Sequence, residues 1–496
     1  MIAYFISLIL LGIPVCWAEW TLGRHAGQRG FNSSPGIFYA LIRHPAGKYI
    51  GVLGAVIPVV IYMYYVYIES WCLGYAYYYL TGQMNLGSEV SAYGDFFARF
   101  VGAVEDGLTL GRGHNQVIIF LAIAFTFNFI IIYRGIAKGI ELFCRFAMPA
   151  LIVLALIIVV RVLTLGTPDP ARPDQNLLNG LGFMWNPGDV GHQLRNPELW
   201  LAAAGQIFFS LSVGFGVIVT YASYLSEKDD VVLSGLTASS ANEFCEVALG
   251  GMITVPAAFV FLGTAGIMGQ GTFALGFNVL PLVFSKMPLP WLFGGMFFTL
   301  LFLAAVTSSL SMLQPGIAYL EEGLGLNRKQ SITLLGMLTA LGCLFMVYFS
   351  KDLKALDTVD FWVGTFLIFV MATIILICFG WVMGVDQGWV EAHKGAEMRL
   401  PKFFKPIFKY VSPLYLLTIF SFWVLFKVFG WDRATGTFTP TEYVTDLVGA
   451  EPNNVARLGV LLILVVTAFF MVLAAAAGRR WDRARQDTTT RKGNPL

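Results

Sequence analysis

Residues 205–224 read GQIFFSLSVGFGVIVTYASY. The run is long and apolar enough to cross a bilayer, yet its middle, SLSVGFG (210–216), sets two hydroxyls and two glycines at membrane depth. Glycine is a poor helix former, and Gly-x-Gly invites a local break. Broken backbone in lipid exposes polar groups that only protein, ions or a wet cavity can satisfy. The stretch therefore predicts a helical membrane bundle with a binding site built around an interrupted helix.

The remainder of the chain agrees. Of its 496 residues 57% are hydrophobic and 12% charged, and the mean hydropathy is +0.70. Repeated runs near the roughly 20-residue bilayer length predict an all-α, polytopic membrane protein. Apolar spans fall at 2–22, 48–80, 115–133, 140–164, 198–224, 235–266, 291–320, 328–349, 359–385, 412–430 and 457–477, about eleven transmembrane helices in one membrane domain, 1–496. A formal charge of +2 gives no reason to expect nucleic acid. The six cysteines lie in or near apolar spans without a CxxC pair and read as small hydrophobes. The five histidines fall in predicted loops, which argues against a histidine metal centre in the membrane. With no HExxH and no nucleophile–base pair, the chain does not read as an enzyme, and no organic cofactor is expected.

Basic residues concentrate in alternate connections: Arg24, Arg29, Arg43 and Lys48; Arg134, Lys138 and Arg145; Lys394, Arg399, Lys402, Lys405 and Lys409; and a tail, 478–496, with Arg479, Arg480, Arg483, Arg485, Arg491 and Lys492. The 431–456 connection is acidic instead. The positive-inside rule then predicts a multi-pass protein of the cell (inner or plasma) membrane with a cytoplasmic C-terminus and Met1 outside. The long connections 81–114 and 165–197 are expected outside, as caps or short helices, and the run Glu227–Asp230 reads as solvated loop.

Within the apolar spans stand Glu69, Asn242, Glu243, Glu246, the run Thr307-Ser308-Ser309 and Asp360. Carboxylates in hydrocarbon are costly and normally face a bundle interior or a water-filled route. Asn242 and Glu246 share a helix face by their spacing of four. Each residue also has a plainer role open to it. The hydroxyls can bond a preceding carbonyl or tie helices together, Glu69 can be held by a neighbouring helix, Asp360 can cap its helix, and Tyr64, Tyr65 and Tyr67 can be packing aromatics. As a set they suit cation coordination, because Na⁺ takes hard oxygen ligands of the kind that Ser210, Asn242, Thr307 and Ser308 supply. Ile61, Tyr65, Phe209, Phe215 and Met312 could line an apolar pocket, and the ends of a broken helix offer N–H groups to an anionic group.

The segments WAEWTLGR (17–24), YYVYIESWCLG (64–74), GQIFFSLSVGFGVIVTYASY (205–224), NEFCEVALGG (242–251), TSSLSMLQP (307–315) and LDTVDFW (356–362) resemble, in register, the neurotransmitter:sodium symporters, and especially the bacterial amino-acid transporters typified by the leucine transporter. The resemblance implies an inverted-repeat bundle that moves a neutral, hydrophobic or aromatic amino acid or related amine with Na⁺ by alternating access. It implies that Ser210 and Asn242 ligate one Na⁺, and that the Ala304 carbonyl with the Thr307 and Ser308 hydroxyls ligates a second. Ile61, Tyr65, Phe209, Ser210, Ser212, Phe215, Ser308 and Met312 would contact substrate, with the Tyr65 hydroxyl on its carboxylate and Phe209 as an outer lid. Asp360 and Glu322 would be the acidic halves of the outer and inner gates.

Tyr4, Gln206, Ser210, Asn242 and Glu246 match the place where chloride-dependent relatives hold Cl⁻. Glu246 stands where those relatives have serine, so the resemblance implies chloride independence and a carboxyl able to take a proton on the return step.

Met1 aligns with the start of the family's second helix, so the first helix, with its share of the ligands and the basic partners of both gate acids, is expected to be absent. An incorrect start or a truncation is the favoured explanation. The alternative is a genuine short form acting as a non-transporting membrane scaffold or regulatory binding protein. The partners expected are a small amino acid or amine and the lipid bilayer. The last two spans offer a homodimer interface, though their leucine-rich faces would equally meet lipid.

Overall fold

Ten helical spans among the described residues are long and apolar enough to cross a membrane, and an eleventh is present as two half-helices. In chain order they are α1 (Ile2–Gly27), α2 (Gly47–Leu80), α3 (Gln116–Tyr133), α4 (Ile136–Leu163), the pair α5 (Pro197–Leu211) and α6 (Val217–Ala222), and α7 (Val231–Ile267). A shorter apolar helix, α8 (Thr272–Ser285), precedes α9 (Pro290–Leu324), α10 (Arg328–Tyr348), α11 (Lys351–Val382), α12 (Phe404–Val428) and α13 (Asn454–Gly478). This computed structural model describes residues 1–42, 44–111, 116–186, 188–269, 271–432 and 435–492; Arg43, His114 and the end of the basic tail, 493–496, lie outside them.

Local chemistry sets several boundaries. Asp230 Oδ1 accepts from the N–H groups of Val232 and Leu233 at 2.8 and 2.9 Å, capping α7. Asn327 and Gln330 form a reciprocal capping box at the start of α10. Gly325, at φ +68°, ends α9 in the left-handed conformation that favours glycine.

The core runs along α2, which α9 follows closely. In lipid such packing depends on small residues that let helices approach. A side chain at Gly316 would meet Val59 Cγ2 at 2.8 Å, and one at Gly294 would run into the Tyr79 ring. The half-helix α6 lies equally close on α1, where side chains at Gly23 and Gly27 would strike the carbonyls of Val219 and Ser223.

The architecture departs from the sequence reading in three places. Arg24 and His25 belong to the last turn of α1 rather than to a loop, and both are buried because partners on other segments satisfy them. Asp360 is not a helix cap: α11 starts earlier, at Lys351, where Lys354 pairs with Asp446 at 2.5 Å and Glu442 at 3.3 Å and so draws a polar turn into the bundle. The Glu227–Asp230 run is solvated as expected, with Glu227, Lys228 and Asp229 exposed, while Asp230 also caps α7 and Glu227 pairs with Lys394 at 3.3 Å. Helix α8 occupies a stretch in which the sequence showed no element. The long connections contain short helices as expected, among them Val90–Val101 and Leu177–Trp185.

Candidate functional site

Between α5 and α6 the backbone leaves the helix over residues 212–216, with φ of +54° at Ser212, +79° at Gly214 and +82° at Gly216. Serine rarely adopts this conformation, so the break is held from outside. Glu19 of α1 supplies one clamp: its Oε1 accepts the Gly214 N–H at 2.6 Å, deep in the bundle. Close approach supplies another, because Gly216 lies against the backbone of Gly54 in α2 and a side chain there would overlap it. The WAEW motif contained Glu19, but sequence alone gave no reason to aim that carboxyl at a residue 195 positions away.

Around the break the polar residues gather in two groups. In the first, Asn242 Nδ2 donates to Ser210 Oγ at 2.5 Å, while Ser210 Oγ and Gln206 Nε2 donate to the two oxygens of Glu246. The Tyr4 hydroxyl faces Glu243, Glu246 and Ser210. Residues from α1, α5 and α7 thus meet at one point, with Glu246 on a π-helical turn, 244–251. In the second group, Thr307 Oγ1 and Ser308 Oγ both donate to the Ala304 carbonyl, at 2.8 and 3.2 Å. Three oxygens thereby share one patch of α9, although the same bonds satisfy a helix with no ion. Ser309 turns away and donates to Glu69, which also accepts from Asn128 Nδ2 at 3.0 and 3.3 Å. Glu69 is therefore a fully buried carboxyl held between α2, α3 and α9.

A cavity of about 640 Å³ opens beside the break. Tyr64, Tyr65, Gln206, Phe209, Asp360 and Phe369 are among its walls. Phe209 is 38% exposed and stands edge-on to the buried Phe215, with ring centroids 5.7 Å apart. Of the expected substrate contacts, Tyr65 and Phe209 line this cavity; Ile61, Ser210, Ser212, Phe215, Ser308 and Met312 are not in its walls. Ile61 and Met312 are buried in packing, and the Tyr65 hydroxyl faces Ser308. Tyr64, read as a packing aromatic, donates its hydroxyl to Asp360 at 2.5 Å, so this carboxyl has a neutral partner.

Glu322 lies at the far end of the bundle from Asp360, since α10 runs between those two ends. The backbone N–H groups of Asn32 and Ser33 donate to it at 2.8 and 2.7 Å. At the same end the fully buried Arg24 donates to the carbonyls of Asp229 (2.5 Å), Lys394 (2.9 Å) and Glu391. The Glu391 carboxylate accepts from His25 Nδ1 at 3.1 Å and pairs with Lys394 Nζ at 2.9 Å. Burial pushes the Glu391 carboxyl up, but the bonds from His25 and Lys394 outweigh it and hold it down at about 2.

The family model described as "Sodium:neurotransmitter symporter family" matches residues 79–473. An uncharacterised sodium-dependent transporter of Methanocaldococcus jannaschii is 27% identical over 439 residues, 84% of this chain and 82% of the relative. The sodium-dependent neutral amino acid transporter B(0)AT1 of Mus musculus is 22% identical over 509 residues, 86% of this chain and 76% of the relative. The crystal structure of MhsT in complex with L-phenylalanine matches with a TM-score of 0.71 at 27% identity, covering 85% of this chain and 90% of that one.

Proposed function

The chain belongs to the sodium:neurotransmitter symporter family, and from that premise we propose that it carries a neutral amino acid, hydrophobic or aromatic, across the cell membrane together with Na⁺ by alternating access. It is a transporter and not an enzyme. The observation that carries the reading is the break at 212–216, clamped by Glu19 and flanked by oxygen-rich groups on α5, α7 and α9. A membrane helix interrupted among such groups has the form of an ion and substrate site. The L-phenylalanine bound by MhsT and the neutral amino acids named for B(0)AT1 support the substrate class.

In this reading Ser210 and Asn242 belong to one Na⁺ site, and Ala304, Thr307 and Ser308 to the other. Tyr65, Ser212 and Phe215 meet the substrate with Ile61 and Met312 behind them, and Phe209 closes over it. Asp360 and Glu322 serve the two gates. The carboxylate of Glu246, already accepting from Ser210 and Gln206, supplies the negative charge that a bound Cl⁻ would otherwise bring, and it takes a proton on the return step. All 496 residues act as one membrane domain, the basic tail from 478 onward faces the cytoplasm, and α12 and α13 are the faces through which a homodimer would form.

The test is uptake of radiolabelled L-phenylalanine by the full chain in proteoliposomes. An inward Na⁺ gradient should drive accumulation, and gluconate in place of chloride should leave the rate unchanged. Glu246→Ser should gain chloride dependence and lose sensitivity to a proton gradient. Uptake indifferent to Na⁺ would overturn the coupling, and uptake that collapses in gluconate would overturn the role of Glu246.

A further inference from the structure

A second cavity, of about 530 Å³, lies between α3 and α4, away from the break, and is comparable in size to small-molecule sites. Its walls are apolar, with Phe127, Leu142 and Phe146 among them, except at one end, where Arg134 and Lys138 line it. Those two residues flank the turn that joins α3 to α4, at the edge of the apolar spans. Phe146 is 69% exposed and Ile130 52% exposed, so the groove opens sideways, where hydrocarbon surrounds the bundle. Leu303 of α9 forms part of its wall, and the rings of Phe127 and Phe143 stand 5.7 Å apart beside it.

Among the described residues the two cations are uncommitted. No ion pair among the described residues involves Arg134 or Lys138. Glu141 and Arg145 stand on the same stretch but outside the groove, and Arg328, which approaches Gly135, is engaged by Glu321 and Gln314. Lipid tails are as apolar as the groove walls, so an acyl chain gains little by entering; selectivity has to come from the headgroup. Arginine pairs with phosphate through two parallel N–H bonds, and lysine adds a point charge.

We propose that the α3–α4 groove is a site for one anionic phospholipid, with an acyl chain along its apolar walls and the phosphate on Arg134 and Lys138. Each basic group near an anionic headgroup is worth about fivefold in partitioning, so the pair predicts a preference of roughly thirtyfold for an anionic over a zwitterionic lipid.

Native mass spectrometry of the full-length protein, given equal phosphatidylglycerol and phosphatidylcholine of the same chain length, reads that preference. The wild-type should retain phosphatidylglycerol at least tenfold more, and Arg134→Gln with Lys138→Gln should bring the two lipids to parity. Ala150→Trp, which fills the groove from its exposed side, should reduce retention of both. A photoactivatable phosphatidylglycerol on the unmodified protein gives a readout that no variant's folding can confound, and its cross-links should fall within 127–150 and at 303. The proposal is overturned if wild-type holds both lipids equally, if the double variant keeps the preference, or if labelling lies elsewhere. It is equally overturned if this face cross-links to a second copy of the chain.

Discussion

Replacing Gly216 by alanine probes the break directly. Gly216 sits at φ +82°, where an L side chain costs about 1–2 kcal/mol. Its new Cβ would also overlap the backbone of Gly54, whose carbonyl carbon lies 2.7 Å from the position it would take. That neighbour is helical main chain in the N-terminal part of α2 and cannot swing aside as a side chain would, so overpacking adds about 1–3 kcal/mol. The combined loss of about 2–5 kcal/mol, from the sum of these terms, should lower the melting temperature of the detergent-purified protein by several degrees. Two controls separate the causes. Gly205→Ala, in open space on helical backbone, should be neutral or stabilising by up to about 1 kcal/mol. Gly54→Ala meets mainly the Ser34 and Met371 side chains, which can move, and should fall between. A Gly216→Ala protein that melts with or above the parent would refute both the left-handed break and its contact with α2.

Glu19→Ala strands the buried Gly214 N–H and should destabilise by about 1–3 kcal/mol, with Glu19→Gln recovering part of the loss in the same melting assay. Thr307→Ala should raise the Na⁺ concentration needed for half-maximal uptake without changing the melting temperature, because its bond to the Ala304 carbonyl is a minor helix contact; unchanged Na⁺ dependence would remove it from the ion site. Glu391 is held near 2 in the folded protein against an ordinary 4.5, so its stabilising effect is complete above about pH 4.5 and fades as pH falls toward 2. Glu391→Gln should flatten that part of the stability–pH curve; a variant that tracks the parent across it would show that the carboxylate contributes nothing there. Tyr64→Phe removes the only hydrogen bond that the described residues give Asp360 through its side chain, and should slow uptake while leaving Na⁺ affinity intact.

The spans were legible in the sequence because each is a long apolar run, and the break was legible because two glycines and two serines interrupt one. Asn242 and Glu246 could be grouped because a spacing of four puts them on one face, whereas Ser210 joined them only through the family resemblance. What stayed hidden were the partners far along the chain. Asn128 is an amide in the apolar body of α3, and nothing local says that it meets Glu69. Tyr64 stands in a run of tyrosines with no local mark that singles it out for Asp360. Arg24 and His25 looked like an ordinary basic flank because positive charge at a helix end normally means solvent. Only the folded chain shows that carbonyls from distant segments replace the water. The same limit applied to α8, whose few turns are too short to stand out against the connections around it.

Arg24 has one further consequence. A single guanidinium fastens the end of α1, the approach to α7 and the helix at Val385–Ala392. Pulling one of the three away would strip a buried guanidinium of one or more of its carbonyl partners, each a charge-assisted bond worth about 1.5–3 kcal/mol. With the His25–Glu391 and Glu227–Lys394 pairs, it ties these three segments into a single plate. Glu322, by contrast, holds the 32–33 turn through two backbone N–H bonds. In the alternating-access reading proposed above, the seam at Glu322 is where this end of the bundle would part, with the Arg24-linked segments moving together.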